Sequence, residues 1–156
     1  MSAYQDSGSG GGSNFSATCT FDVSGNIMSL LYGDDFADKT TFASGSSSQF
    51  NEFFMNCSKL VNAKDLILPV LRLPQHAYRW MFVRCTSLIT PPKLPALNVG
   101  YRAYHSLFYG CTSLERAPIL PATTIDYYGY GSMFQNCTKL KYIMCLYPGD
   151  LTTYRS

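Results

Sequence analysis

An eight-residue pattern occurs four times in this chain and constrains its fold more than any other feature. The copies are Phe53–Leu60 (FFMNCSKL), Met81–Leu88 (MFVRCTSL), Leu107–Leu114 (LFYGCTSL) and Met133–Leu140 (MFQNCTKL). Their cysteines, Cys57, Cys85, Cys111 and Cys137, are separated by 28, 26 and 26 residues. A fixed period in the twenties is typical of proteins built from stacked structural units. The sequence therefore predicts an α/β repeat solenoid.

The four octets also provide an internal alignment of the residues that follow them. Each alignment column keeps one chemical type: proline at Pro69, Pro95 and Pro121, an aliphatic residue at Leu73, Val99 and Ile125, and tyrosine at Tyr78, Tyr104 and Tyr130. Apolar residues at fixed positions are expected to pack on their own copies in a shared core. We therefore expect Phe82, Phe108 and Phe134 to form one buried column and the octet cysteines to be small, reduced core residues.

The octets resemble the BspA-like leucine-rich repeats of surface proteins from gut and oral bacteria. Phe82, Cys85, Leu88 and Pro95 match that family's repeat, and Gly25–Phe36 is similar to a lead-in that precedes such repeats. The resemblance covers about residues 25–147. It implies a right-handed, leucine-rich-repeat-like coil with short parallel strands and short helical turns, about four coils long, with an N-terminal cap. It also implies display on a cell surface and adhesion to a host protein, a glycan or another cell.

The composition along the chain predicts four regions. They are a flexible Gly/Ser-rich linker or tag at residues 1–14, an N-terminal cap at 15–49, the repeats at 50–148 and a tail at 149–156, which we expect to be truncated. Within the cap, alternating apolar and polar side chains predict a strand over residues 15–23. We also expect a helix over Ile27–Tyr32, ended by Gly33, and a loop over 44–48. Within a repeat, we expect a strand over 114–120 and a helical turn over 127–136.

Composition also limits the class of protein. Apolar content of 46% and a net charge of +2 indicate a folded chain that is not polybasic. The sequence contains no run of eighteen apolar residues, so it predicts no membrane span. Its N-terminus has no signal-peptide pattern. The expected location is nonetheless the cell surface or the secreted fraction, because of the family resemblance. The alternative is a fibre or decoration module of a phage virion, which needs no export signal.

The sequence favours a protein without catalytic activity. It contains no Cys-x-x-Cys pair, no phosphate-binding loop and no nucleophile motif, so we expect no metal, no cofactor and no catalytic residue. Cys19 and Cys145 lie outside the cysteine column, and the sequence leaves open whether they are paired or free.

The candidate binding residues are those that vary between repeats just upstream of the octet. They are Gln75, His76, Arg79, Trp80, Tyr101, Arg102, His105, Tyr127 and Tyr128. Aromatic, arginine and adaptable polar side chains are enriched in binding surfaces. Random drift of an outward-facing surface is the competing interpretation.

Residues 57–156 carry eleven basic and four acidic groups, an excess that is compatible with an anionic partner such as an acidic glycan. Because the basic residues form no dense run, ordinary solubilising charge is the favoured interpretation. The expected partner is a protein or a glycan on a host or neighbouring cell. We expect neither specific nucleic-acid binding nor membrane insertion.

Overall fold

The computed structural model describes residues 17–43 and 47–150. The predicted linker at 1–14, the first three residues of the predicted loop at 44–48 and the last six residues of the predicted tail lie outside these ranges.

The N-terminal part of the chain packs against the first octet through a two-stranded parallel sheet. Strand β1 spans Phe21–Asn26 and pairs with β2, Leu60–Ile67, with register shifts near its start. Helix α1, Ser29–Tyr32, follows, then a 3₁₀ turn at Gly33–Phe36. The predicted helix ending at Gly33 is confirmed but begins two residues later. Residues 15 and 16 of the predicted strand at 15–23 lie outside the described ranges, and in the part that is described the strand begins at Phe21 and ends at Asn26.

A second parallel sheet lies further along the chain and has three very short strands. They are β3, Arg72–Leu73, β4, Asn98–Val99, and β5, Thr124–Ile125. The strand predicted at 114–120 does not form and is represented only by isolated bridges at Arg116 and Leu120. Pro118 and Pro121 have no N–H to donate to a strand ladder, so this stretch cannot pair continuously.

The predicted α/β repeat solenoid, a leucine-rich-repeat-like right-handed coil of about four turns, is wrong. The described residues are mostly loops and turns, with two small parallel sheets and one short α-helix of four residues. The predicted helical turn at 127–136 is wrong as well. That stretch and its three counterparts, residues 49–56, 75–84 and 101–110, consist of consecutive turns; we call these four stretches the turn segments.

The backbone of the turn segments explains why no helix forms there. Every fourth residue has a positive φ, as at His76, Trp80 and Arg84, whose φ values are 58°, 58° and 56°. A right-handed helix cannot continue through a left-handed residue. The N–H groups alternate between two uses: that of Arg79 donates within its own segment to the His76 carbonyl, whereas that of Trp80 donates to the His105 carbonyl of the next segment.

Side chains at equivalent octet positions lie face to face across the segments. The rings of Phe54, Phe82, Phe108 and Phe134 follow one another at centroid distances of 5.4, 5.5 and 5.8 Å, nearly parallel. A second column contains Phe50, Tyr78, Tyr104 and Tyr130 at 6.0 Å intervals. The expected stacking of Phe82, Phe108 and Phe134 is therefore confirmed, although Phe134 is only partly buried.

The octet cysteines are buried, and none of the six cysteines, all of which lie within the described ranges, forms a disulfide. The Sγ of Cys85 donates to the Phe54 carbonyl at 3.1 Å, that of Cys111 to the Phe82 carbonyl at 3.1 Å, and that of Cys137 to the Phe108 carbonyl at 3.0 Å. Burial raises the pKa of the Cys85 and Cys111 thiols well above the ordinary range. The reduced state predicted for this column is confirmed, and the hydrogen bond explains why a thiol recurs there.

These thiols should not react with a soluble thiol reagent while the protein is folded. Only the thiolate is nucleophilic, and burial both suppresses it and blocks access. We expect fast labelling of the exposed Cys19, which serves as an internal control, and labelling of Cys85, Cys111 and Cys137 only in denaturant. Mass mapping of the labelled peptides measures this, and rapid native labelling of Cys111 would contradict the buried hydrogen-bonded thiol.

Candidate binding surface

Eight of the nine predicted site residues lie together on one side of the turn segments. We call this group the aromatic–cationic surface; it comprises His76, Arg79, Trp80, Tyr101, Arg102, His105, Tyr127 and Tyr128. All but Tyr127 are half-buried, and Tyr127 is 45% exposed. The ninth residue, Gln75, is exposed, and no hydrogen bond or ring contact within the described part of the chain joins it to the others.

The aromatic part of this surface is formed by rings from three successive turn segments. Tyr101 and Tyr127 stack at 6.4 Å with an angle of 9° between their planes, and His76 lies against the other side of Tyr101 at 5.4 Å. Tyr128 meets Tyr127 edge-on at 4.2 Å and His105 at 6.0 Å. The rings are therefore held by one another, and little conformational freedom remains to be lost on binding.

The two arginines are placed by these rings. The guanidinium carbon of Arg79 lies 3.6 Å from the centroid of the Trp80 ring. The guanidinium carbon of Arg102 lies 5.0 Å from the Tyr101 ring centroid and 5.1 Å from that of Tyr128. Cation–π contacts of this kind fix the plane of the guanidinium while its N–H edges stay available.

The backbone explains why these side chains share one side. The N–H of His76 donates to the Tyr101 carbonyl at 2.9 Å, and the N–H of Arg102 donates to the Tyr127 carbonyl at 3.2 Å. Positions 26 residues apart are thereby held one above the other. As a result His76 lies next to Arg102, and Arg79 lies next to His105, so that two arginines and two imidazoles form one small group.

Burial and positive charge act together on the ionisable groups of this surface. Desolvation lowers the pKa of His76, and the nearby charges of Arg79 and Arg102 lower it further. The pKa of His105 is lowered in the same way, with an added contribution from His76. Desolvation and the neighbouring Arg102 lower the pKa of Arg79. Both imidazoles are therefore neutral at pH 7, whereas the arginines remain charged.

Two residues of the first turn segment, Asn51 and Glu52, lie beside the aromatic–cationic surface and were not predicted from the sequence. The carboxylate of Glu52 is buried, accepts a hydrogen bond from Asn51 at 3.1 Å, and raises the pKa of Arg79 through its charge. The first interval between octet cysteines is 28 residues rather than 26, and the first turn segment was left out of the alignment of variable positions. Including that segment, with two extra residues in the first interval, would have aligned Asn51 with Arg79.

Comparison of the chain with known protein families, with curated proteins and with solved structures gave no match. Within residues 17–43 and 47–150, no group of three His, Cys, Asp or Glu side chains is arranged to hold a metal ion. In the same ranges no helix is both long and apolar enough to cross a membrane.

Proposed function

We propose that this chain is a non-enzymatic binding module that recognises a glycan or a protein partner through the aromatic–cationic surface. The observation that supports this proposal is the association of three tyrosines and two arginines from successive turn segments, with rings that remain partly accessible. A few aromatic and arginine residues usually supply most of the binding energy at such surfaces. Random sequence drift of a solvent-facing surface would explain why these residues vary between repeats. It does not explain why they contact one another through stacked rings and cation–π contacts.

The biological setting belongs to the same proposal. The resemblance of the octets to those of BspA-like surface proteins favours adhesion at a bacterial cell surface, to a host protein, a glycan or another cell. A virion fibre or decoration protein of a phage would use the same kind of surface against a bacterial envelope. Genomic neighbours of the coding sequence distinguish these two settings.

The proposal is tested by replacing Tyr101 and Tyr127 together with serine. An array of glycans and host proteins, probed with the purified chain, identifies ligands of the parent. The double variant should lose most of that binding, because the stacked pair provides the largest rigid aromatic area of the surface. Its melting temperature should change little, because surface substitutions usually shift stability by less than about 0.5 kcal/mol.

Tyr142→Ser is the matched control. Tyr142 is 54% exposed and lies outside the aromatic–cationic surface, so its replacement removes one exposed tyrosine ring without touching the proposed site. It should bind as well as the parent. Full binding by a folded Tyr101→Ser/Tyr127→Ser variant would place recognition elsewhere on the chain, and its unfolding would assign these tyrosines to the core.

A further inference from the structure

We propose that Arg79 and Arg102, together with His76, form a subsite for the anionic group of an acidic polysaccharide, a sulfate ester or a carboxylate. This inference rests on the proposed function and names the ligand class. It follows from the charge of the two arginines and from the hydrogen bonds that they make.

Within the described residues, no ion pair neutralises the positive charge of Arg79 and Arg102. The ion pairs of the described residues join Lys64 to Asp65 and Lys141 to Glu115, and neither involves Arg79 or Arg102. Glu52 is near enough to act on Arg79 through its charge, but it forms no ion pair with it. The positive charges of Arg79 and Arg102 therefore repel each other, and the Glu52 carboxylate offsets this repulsion without forming an ion pair.

Several nitrogen atoms of this pair and its neighbour also have no hydrogen-bond partner. The Nε atoms of Arg79 and Arg102 and the Nε2 atom of His76 are shielded from solvent and unpartnered. A buried polar atom without a partner is unfavourable, and more so when it belongs to a charged group. The two guanidinium groups are therefore incompletely hydrogen-bonded by the described residues.

The geometry suits an oxyanion. Trp80 supports the guanidinium plane of Arg79, while Tyr101 and Tyr128 support that of Arg102. A guanidinium fixed by its faces presents its N–H edge, which binds the two oxygens of a carboxylate or sulfate in parallel. An anion bound by the N–H edges of both guanidinium groups would remove their mutual repulsion.

The neighbouring residues favour a sugar as the carrier of that anion. Tyr127 offers an exposed ring, and its carbonyl accepts a hydrogen bond from the Arg102 N–H. The adjacent hydroxyl and imidazole groups can hydrogen-bond to sugar hydroxyls. Binding of a long nucleic acid relies on many phosphate contacts along a basic track. The basic residues of this chain form no dense run, so a short local anionic group is the better match.

Trp80 provides a direct measurement, because it is the one tryptophan of the sequence and Arg79 stacks on it. Its fluorescence should change saturably on titration with heparin as the sulfated probe or polygalacturonate as the carboxylated probe, and not with dextran as the neutral probe. The relative response to the first two identifies the anionic group. Arg79→Gln combined with Arg102→Gln should weaken the response at least about tenfold, as expected when charge-assisted hydrogen bonds are lost.

Two comparisons make the result specific to this pair. Lys93→Gln combined with Arg116→Gln removes two exposed cations from elsewhere on the chain and should leave the affinity within about twofold of the parent. Arg102→Lys keeps the charge but loses the planar fork, so it should fold normally and still bind several-fold more weakly. Equal losses in the Lys93/Arg116 variant and the Arg79/Arg102 variant would mean general charge attraction and would overturn the subsite.

Other outcomes separate this inference from the proposed function. Loss of an array ligand in Tyr101→Ser/Tyr127→Ser, with full binding retained in Arg79→Gln/Arg102→Gln, supports the binding surface and overturns the anionic subsite. Stronger binding of single-stranded RNA or of a phosphopeptide than of either acidic polysaccharide overturns the assigned ligand class. Absence of any saturable response and of any array ligand overturns both proposals.

Discussion

Phe108→Ala is expected to lower the free energy of unfolding by about 3–5 kcal/mol, the usual range for truncating a buried aromatic side chain. The Phe108 ring is fully buried and lies between the rings of Phe82 and Phe134, at 5.5 and 5.8 Å. Its removal leaves a cavity in the middle of the phenylalanine column, where neighbours on both sides lose contact. A loss of this size is a large part of the roughly 5–15 kcal/mol that stabilises a typical domain.

Urea unfolding followed by circular dichroism measures this loss. Ile119→Ala is the control, because Ile119 is 54% exposed and its truncation should change stability by less than about 0.5 kcal/mol. Phe134→Ala should lie between the two, because Phe134 is partly exposed and stacks on Phe108 alone within the column. An unfolding curve for Phe108→Ala that coincides with the parent's would mean that the column contributes little to the stability of the fold.

The core of this protein could be predicted from the sequence because it depends on residue identity at a fixed interval. Phenylalanine, tyrosine, cysteine and leucine recur at constant positions, and Phe82, Tyr104, Cys111 and Leu114 are all buried. The recurrence itself identified which side chains meet. The same alignment identified the variable residues, and the ring and cation contacts of the aromatic–cationic surface join most of them.

The path of the backbone could not be predicted in the same way. Strands of two residues are too short to produce an alternating pattern, and the turn segments were assigned to helical turns because nothing local forbade it. Their conformation depends on hydrogen bonds between residues about 25 positions apart, such as the one from Arg84 N–H to the Tyr109 carbonyl at 2.7 Å. Such non-local bonds override local propensity, so the solenoid with helical turns was the wrong architecture.

One alignment column did contain a sign of the left-handed backbone. Its residues are Asn56, Arg84, Gly110 and Asn136, with φ values of 64°, 56°, 71° and 63°. Glycine and asparagine are the residues that adopt a positive φ most readily. The other left-handed positions carry residues such as Trp80 and Tyr128, which have no such preference, and these hide the pattern.

Arg84 therefore allows a test that distinguishes the turn segments from a helix. Arg84→Pro should lower stability by roughly 3 kcal/mol or more, because proline cannot adopt a φ of 56° and removes the N–H that donates to the Tyr109 carbonyl. Arg84→Gly should be nearly neutral or slightly stabilising, because glycine adopts this φ without strain and already occupies the equivalent position, Gly110.

The comparison of the two variants is informative because the alternatives predict different signs for glycine. In the middle of a helix both proline and glycine destabilise, glycine by roughly 0.5–1 kcal/mol relative to alanine. In a left-handed turn position alanine is the strained residue, so Arg84→Ala should be less stable than Arg84→Gly by about 1 kcal/mol. Urea unfolding of the three variants side by side measures this order. If Arg84→Ala is the more stable of the two, the residue does not occupy a left-handed turn in solution, and the helical interpretation of residues 75–84 would be restored.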